Sequence, residues 1–174
     1  MSSKSKNGLF IGRFQPFHLG HLSAIRQAFN RADFLYIGIG SAQYNDKKTN
    51  PFTKEERKEM IERALLDNGI PSDKFEIIFI PDIHDNKAWP KHVCSLTPVF
   101  DILFLGNKGI VKELFEKYGN AKMLFVDHEV PISSTKIRQT MAEGGDWREH
   151  LDKTTVDYLE EVDGIKRIRE IFRK

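Results

Sequence analysis

The sequence has only one cysteine, Cys94, among its 174 residues, so a disulfide framework within the chain is excluded. A chain without disulfides suits a reducing compartment, and we expect a cytoplasmic location. Long apolar runs are also lacking, since none approaches the ~20 residues that a membrane span requires. The polar start, Met1 to Asn7, lacks the apolar stretch of a secretory signal. We therefore expect neither a membrane-spanning segment nor a leader.

An excess of charge of either sign is lacking as well. The 27 Lys and Arg residues nearly balance the 25 Asp and Glu residues, which leaves a net charge of +2. This balance argues against nucleic acid or an anionic membrane as a partner.

Length and pattern predict one domain. The chain is long enough for one hydrophobic core and short for two. We expect a flexible N-terminal segment over residues 1–7 and a single domain over residues 8–174. After Gly144 and Gly145 the strand pattern stops, and residues 150–174 form a pattern of two short helices separated by Gly164. So short a tail cannot bury a core of its own, and we predict that it packs on the sheet.

Short apolar runs alternate with amphipathic helical patterns. The runs are rich in aromatic and β-branched residues and predict five buried strands: Leu9–Ile11, Phe34–Ile37, Phe75–Ile80, Ile102–Leu105 and Lys122–Val126. One of the helical patterns opens with a capping box formed by Thr53 and Glu56. Strands that alternate with helices predict an α/β fold. We expect a Rossmann-like, doubly wound parallel sheet of about five strands, with a small C-terminal helical tail.

The first strand leads into the segment Gly12-Arg-Phe-Gln-Pro-Phe-His-Leu-Gly-His21. Arg13, His18 and His21 bring cationic or hydrogen-bonding groups to the start of a helix, which already attracts anions. A histidine there can also serve as a simple helix cap. The two histidines could be metal ligands, but no nearby Cys, Asp or third His completes a zinc set. We therefore predict a phosphate site and no metal site of the protein's own.

The last strand is followed by a second polar segment, Val130-Pro-Ile-Ser-Ser-Thr-Lys-Ile-Arg138. Ser133 is a natural N-cap, so Thr135 would lie in the first turn beside free backbone N–H groups. Arg138, three residues later, returns to the face of Thr135. An ordinary capped helix with a surface arginine would give the same pattern. Together with the first segment, it predicts a polyphosphate site.

The two segments together resemble the nucleotidyltransferase superfamily with HxGH and ISSTxIR signatures, here His18 to His21 and Ile132 to Arg138. HxGH alone is a weak signature, because class I aminoacyl-tRNA synthetases share it. A narrower resemblance is to the archaeal-type nicotinamide mononucleotide adenylyltransferases, and it extends from about Gly8 to the C-terminal helices. Four further segments carry it: Gly12 to His18, Ile37 to Gln43, Asn50 to Thr53 and Asp82 to Trp89.

This resemblance implies an enzyme of NAD biosynthesis. It would transfer AMP from ATP to nicotinamide mononucleotide (NMN) and release NAD and pyrophosphate, with Mg²⁺ bound mainly through the ATP phosphates. Transfer to another phosphorylated acceptor (nicotinic acid mononucleotide, phosphopantetheine or FMN), or cytidylyl transfer, is the nearest alternative. A nucleotide-sensing module without turnover is another. Preference between the amide and acid mononucleotides is left open. A homo-oligomer is also possible, since relatives are often oligomers.

The resemblance also assigns site residues. The implied catalytic set is His18, His21, Arg13 and Arg138. The implied ATP-binding set is Phe14, Gln15, Gly20, Gly106, Asn107, Ser133 and Thr135. The implied NMN-binding set is Gly40, Ser41, Asn86 and Trp89, with Trp89 stacked on the nicotinamide ring and Asn86 at its carboxamide. Two alternatives stay open: Trp89 as a core anchor for the next helix, and Gly106-Asn107 as an ordinary strand-to-helix turn.

Overall fold

A computed structural model of the chain describes residues 5–45, 48–106, 109–126 and 132–173. Its centre is a parallel sheet whose strands are β1 (Asn7–Gly12), β2 (Phe34–Gly40), β3 (Phe75–Ile80), β4 (Ile102–Leu105) and β5 (Lys122–Phe125). The strands lie in the order β3-β2-β1-β4-β5. The predicted five-stranded α/β fold is therefore confirmed.

Helices connect the strands and close the chain. They are α1 (Leu19–Phe29), α2 (Lys54–Asp67), α3 (Trp89–Leu96), α4 (Ile110–Tyr118), α5 (Ser134–Glu143), α6 (Lys153–Glu161) and α7 (Gly164–Arg173). Helix α2 begins with the predicted capping box, because the Thr53 side chain accepts from Glu56 N–H and the Glu56 carboxylate accepts from Thr53 N–H. None of the helices in the described ranges is long and apolar enough to cross a membrane.

The strand order places a crevice at the middle of the sheet. β1 pairs with both β2 and β4, so the chain winds outward from β1 in one direction and then in the other. Ligands of such sheets bind beyond the carboxyl ends of the strands, where the winding reverses. The segments after β1 and β4 flank that point.

Two apolar clusters cover the two faces of the sheet. On one face, Ile25 of α1 and Ile61 of α2 share a cluster with Ile137 of α5. On the other face, Trp89 of α3 and Phe115 of α4 pack with residues of β1 and β4. Burial on both faces explains the continuous apolar runs of β2 and β4, whereas the edge strands β3 and β5, also predicted to be buried, are only partly so.

The C-terminal helices pack on the first of these faces. Leu159 of α6 and Ile168 of α7 belong to the cluster of α1, α2 and α5, and both side chains are buried. Arg63 of α2 lies 2.8 Å from the Glu161 carboxylate at the end of α6. Arg167 of α7 lies 2.8 Å from the Glu56 carboxylate in the first turn of α2.

The predicted N-terminal segment ends earlier than expected. Asn7, assigned to a flexible segment, is the first residue of β1. Its backbone N–H donates to the Asp101 carboxylate at 2.9 Å, and the N–H of Lys6 donates to the Asp33 carboxylate at 2.8 Å. These two bonds extend the ordered strand beyond the apolar run that marked it in the sequence. Residues 1–4 lie outside the described residues.

Candidate active site

Two cavities open at the carboxyl ends of the strands. The first, about 510 Å³, lies between the loop after β1 and the start of α5, and we call it the His18–His21 cavity. The second, about 590 Å³, lies between the ends of β1 and β2, the segment before α3 and the start of α4, and we call it the Trp89 cavity. Both are lined by Ile11, Gly12 and Arg13. The exposed Arg13 side chain thus belongs to both.

The histidine pair stands at the start of α1. His18 is the N-cap residue, and its Nδ1 accepts from the His21 backbone N–H at 3.3 Å. The two imidazole rings are stacked with centroids 3.6 Å apart, and the Phe14 ring meets His21 edge-on at 4.9 Å. Since rings on two sides hold His21, its orientation is fixed before a ligand arrives. Both histidines line the cavity beside the positive end of the helix dipole.

Arg138 forms the opposite wall of the same cavity, and its side chain is almost fully buried. Its guanidinium donates to the Lys48 and Gln15 carbonyl oxygens, both at 2.8 Å, and to the Thr135 hydroxyl at 3.3 Å. The last bond confirms that Thr135 and Arg138 share a face of α5. A guanidinium has five N–H groups, so donors remain for a ligand in the cavity.

The cavity has an unbalanced positive charge. Burial and, to a lesser extent, the neighbouring positive charge of Arg13 together lower the pKa of Arg138 to about 10. Arg138 nevertheless stays protonated at neutral pH. Among the described residues that line the cavity none is a carboxylate, and Lys136 adds another cation. Such a surface attracts a polyanion.

The start of α5 presents hydroxyl groups to the cavity. Ser133 is the N-cap, as predicted, and its hydroxyl accepts from the Lys136 N–H at 3.2 Å. Ser133 and Thr135 are both exposed and line the cavity, together with Gly106 at the end of β4. The N-termini of α1 and α5 therefore face one space, an arrangement that suits phosphate groups. Gly20 is buried in the first turn of α1, and Asn107 lies outside the described residues.

Two residues predicted to bind ATP have buried side chains. Phe14 and Gln15 are each 1% exposed. The Phe14 ring lies beneath Gly12, where an added Cβ would come within 2.8 Å of it. The Gln15 amide donates to the Phe52 carbonyl and accepts from the Phe52 N–H, both at 2.9 Å. Gln15 thus ties the loop after β1 to the start of α2, a role that the sequence pattern did not indicate.

We predict that Gln15→Leu lowers the free energy of unfolding by about 2 kcal/mol, because two buried backbone groups of Phe52 lose their partners. Urea unfolding measures this loss. The matched control is Gln43→Leu, since the exposed Gln43 amide makes the same pair of bonds with the backbone of Asp82. Water replaces those bonds, so the control should change stability by less than about 0.5 kcal/mol. An unchanged midpoint for Gln15→Leu would contradict the structural role.

The Trp89 cavity contains all four residues assigned to NMN, namely Gly40, Ser41, Asn86 and Trp89. Trp89 is 8% exposed and meets the Phe115 ring edge-on at 6.0 Å. It is therefore both a core residue of α3 and a wall of the cavity, and the two interpretations of the sequence are compatible. Asn86 is exposed at the cavity.

Three further polar side chains line this cavity and were not singled out as binding residues: Tyr44, Asp82 and His84. The Ser41 hydroxyl donates to the Asp82 carboxylate at 2.7 Å, which joins the end of β2 to the segment after β3. Nothing in a single sequence indicates this contact, because the two residues are far apart in the chain. In the other cavity the polar residues missed among those described are Ser134 and Lys136, which lie inside the second motif.

The described residues contain no group of three or more His, Cys, Asp and Glu side chains that could hold a metal ion. Among the residues that the structure describes, those lining the His18–His21 cavity offer a divalent cation hydroxyl and imidazole groups but no carboxylate.

A parallel sheet that presents paired histidines and two helix N-termini to one cationic cavity is the arrangement expected of a nucleotidyltransferase. Comparison with known sequences agrees. The cytidylyltransferase-like family matches residues 9–140, so the chain belongs to it. Within that family, it belongs to the nicotinamide-nucleotide adenylyltransferases. The Thermococcus sibiricus enzyme of that name is 42% identical over 163 residues, which cover 93% of this chain and 87% of the relative. The Pyrococcus furiosus enzyme of the same name is 41% identical over 166 residues, which cover 94% of this chain and 88% of the relative.

A solved structure supports the same assignment. A bifunctional NMN adenylyltransferase/ADP ribose pyrophosphatase from Francisella tularensis, complexed with AMP and a manganese ion, superposes with a TM-score of 0.79 at 26% identity. The match covers 97% of this chain and 52% of the bifunctional one, so this chain spans about half of that protein.

Proposed function

We propose that this protein transfers AMP from ATP to NMN and releases NAD and pyrophosphate. The observation that carries the proposal is the pair of adjoining cavities that share Arg13. ATP would occupy the His18–His21 cavity and NMN the Trp89 cavity. The family to which the chain belongs supports the choice of substrates.

The reaction needs no base or covalent intermediate from the protein. The 5′-phosphate of NMN is already an anion near pH 7, and one of its oxygens forms a bond to the α-phosphorus of ATP. The bond from that phosphorus to the bridging oxygen breaks, and pyrophosphate leaves with the electron pair. The protein's contribution is to align two anions and to stabilise the charge that develops on the oxygens.

The cationic groups divide this work between them. We propose that His21, whose ring is held by His18 and Phe14, donates to the α-phosphoryl oxygens in the transition state. Arg138 and the start of α5 would bind the phosphates that leave as pyrophosphate. Arg13 lines both cavities, which supports a role between the two reacting phosphates. The hydroxyls of Ser133 and Thr135 would complete the ATP site.

We propose Mg²⁺ as the metal, bound mainly through the ATP phosphates, since the described residues of the cavity offer hydroxyls and cations rather than carboxylates. When bound, such a cation neutralises charge on the phosphate oxygens. We also propose that residues 8–174 act as one domain, because the tail helices share a cluster with the helices that carry the site. A cytoplasmic location and a homo-oligomer stay predictions.

Pyrophosphate release tests the proposed function. The assay contains ATP, Mg²⁺ and, in parallel, NMN, nicotinic acid mononucleotide, phosphopantetheine or FMN. We expect turnover with NMN, and the ratio to the acid mononucleotide defines the preference. Turnover only with phosphopantetheine or FMN would refute NMN as the acceptor, although the protein would still be a nucleotidyltransferase. A protein that binds ATP but turns over none of the four would be a nucleotide-sensing module.

We predict that Trp89→Ala raises the KM for NMN by roughly tenfold and leaves the KM for ATP nearly unchanged, because a stacked base contributes about 1–3 kcal/mol. Steady-state kinetics with each substrate varied in turn measures both constants. Phe115→Leu is the matched control, since Phe115 supports Trp89 from the core and does not line the cavity. A rise in the KM for ATP alone would show that the Trp89 cavity is wrongly assigned.

A further inference from the structure

One buried arginine belongs to neither cavity. Arg57 in α2 is fully buried, and its four described hydrogen bonds all end on backbone carbonyl oxygens. Nε donates to Thr53 at 3.2 Å, and the terminal nitrogens donate to Arg13 at 2.9 Å, Gly40 at 2.8 Å and Ser41 at 3.2 Å. The guanidinium thereby joins the loop after β1 to the loop after β2.

Those loops contain two strained residues next to the bonded carbonyls. Phe14, which follows the Arg13 carbonyl, has φ of 52°, and Ser41 has φ of 50°. A residue with a side chain is uncommon in this left-handed region and persists only where its surroundings hold it. Arg57 stabilises both conformations. It donates to the Arg13 and Gly40 carbonyls, and these belong to the peptide groups directly before Phe14 and Ser41.

The strained residues in turn position side chains of both cavities. The Phe14 ring packs edge-on against His21 in the His18–His21 cavity. The Ser41 hydroxyl donates to the Asp82 carboxylate in the Trp89 cavity. Arg13, whose carbonyl accepts from Arg57, lines both. One buried guanidinium is therefore bonded to the backbone of residues that line both cavities, although its own side chain lines neither.

The charge of Arg57 is also costly. Burial lowers its pKa to about 10, and the positive charge of Arg13 acts in the same direction, while the carboxylates of Glu55, Asp82 and Glu56 oppose the shift. A neutral side chain would avoid this cost, but it could not donate to carbonyls of three different segments. The guanidinium meets this requirement, because its N–H groups point in several fixed directions.

We propose that Arg57 is a positioning residue for adenylyl transfer, which aligns the two substrate phosphates by fixing the β1 and β2 loops relative to each other. This inference rests on the proposed function. It predicts a specific defect in Arg57 variants. Each substrate alone still finds its own cavity, whereas the reacting atoms are misaligned.

The test is Arg57→Lys, because an ammonium keeps the charge but cannot span the same carbonyls. We expect kcat to fall roughly 10- to 100-fold, as a misplacement near 1 Å does. The dissociation constants of NMN and of a non-reacting ATP analogue, each measured alone by calorimetry, should change less than about threefold. Kinetics are normalised to the folded fraction, so that a purely structural role would leave kcat unchanged.

Arg167→Lys is the matched control. Arg167 also lies at the start of α2, where it contacts Glu56 and the Pro51 carbonyl, but it has no described bond to Arg13, Gly40 or Ser41. This variant should lower the melting temperature and leave kcat at the wild-type value.

Two results would overturn the inference: wild-type kcat in folded Arg57→Lys, or loss of ATP-analogue binding that accounts for the whole defect. If Arg57→Lys does not fold, Ser41→Gly relieves one strained position. Arg57→Lys is then compared in that background with Ser41→Gly itself, and equal kcat values would overturn the inference. An inactive wild-type protein would instead refute the proposed function.

Discussion

His21→Ala is expected to lower kcat by roughly 10²-fold while ATP still binds, as for a donor that acts mainly in the transition state. The physical reason is preorganisation. His18 stacks on the His21 ring at 3.6 Å, so the imidazole needs no reordering when charge develops on the phosphoryl oxygens. Single-turnover kinetics and calorimetry with an ATP analogue separate the chemical step from binding.

The control for this prediction is His18→Asn. Asparagine is a favoured N-cap residue, so it preserves the start of α1 while it removes the stacked ring. If His21 acts on the phosphoryl group itself, His18→Asn should reduce kcat less than His21→Ala does. An unchanged kcat in His21→Ala would contradict the catalytic role.

Arg138→Ala is expected to have the second large effect. It removes the cation from the wall of the cavity and also leaves the carbonyls of Gln15 and Lys48 without a donor. We predict that kcat/KM for ATP falls by roughly 10³-fold and that the free energy of unfolding falls by about 2–3 kcal/mol. Steady-state kinetics and urea unfolding measure the two losses independently.

Arg138→Lys separates the charge from the geometry. Lysine restores a cation at the wall but cannot bridge both carbonyls, so stability should stay low while most of kcat/KM for ATP returns. If folded Arg138→Ala kept kcat/KM for ATP within about threefold of the wild-type value, the role of Arg138 would be structural only.

Much of the fold was predictable because the strands are short, largely apolar runs. β3 and β4 have the predicted bounds, Phe75–Ile80 and Ile102–Leu105. Helix α3 was not located by periodicity, since only Trp89, Pro90 and Val93 are buried in its eight residues. Asn7 was missed as the start of β1 because its strand is extended by the distant Asp101 carboxylate.

The candidate site was predictable where its residues form local motifs. The sequence placed Ser133 as a helix cap, which the structure confirms, whereas for His18 the cap was only the alternative to phosphate binding, and the structure shows that His18 is an N-cap as well. It could not indicate the partner of Gln15, because Phe52 lies 37 positions away. The sequence did not indicate the role of Arg57 for the same reason. Within α2 it belongs to a run of charged residues, and only folding brings the distant backbone carbonyls into contact with it.

The C-terminal helices set a condition for building chimeras of this enzyme with its relatives. The family match ends at residue 140, yet α7 contacts α2 through Arg167 and Glu56 and contacts the Met141 carbonyl of α5 through Arg169 at 3.3 Å. Those two helices carry Arg57 and Arg138. The tail and the catalytic segment are therefore not interchangeable modules, and a grafted tail would need its matching partners on α2.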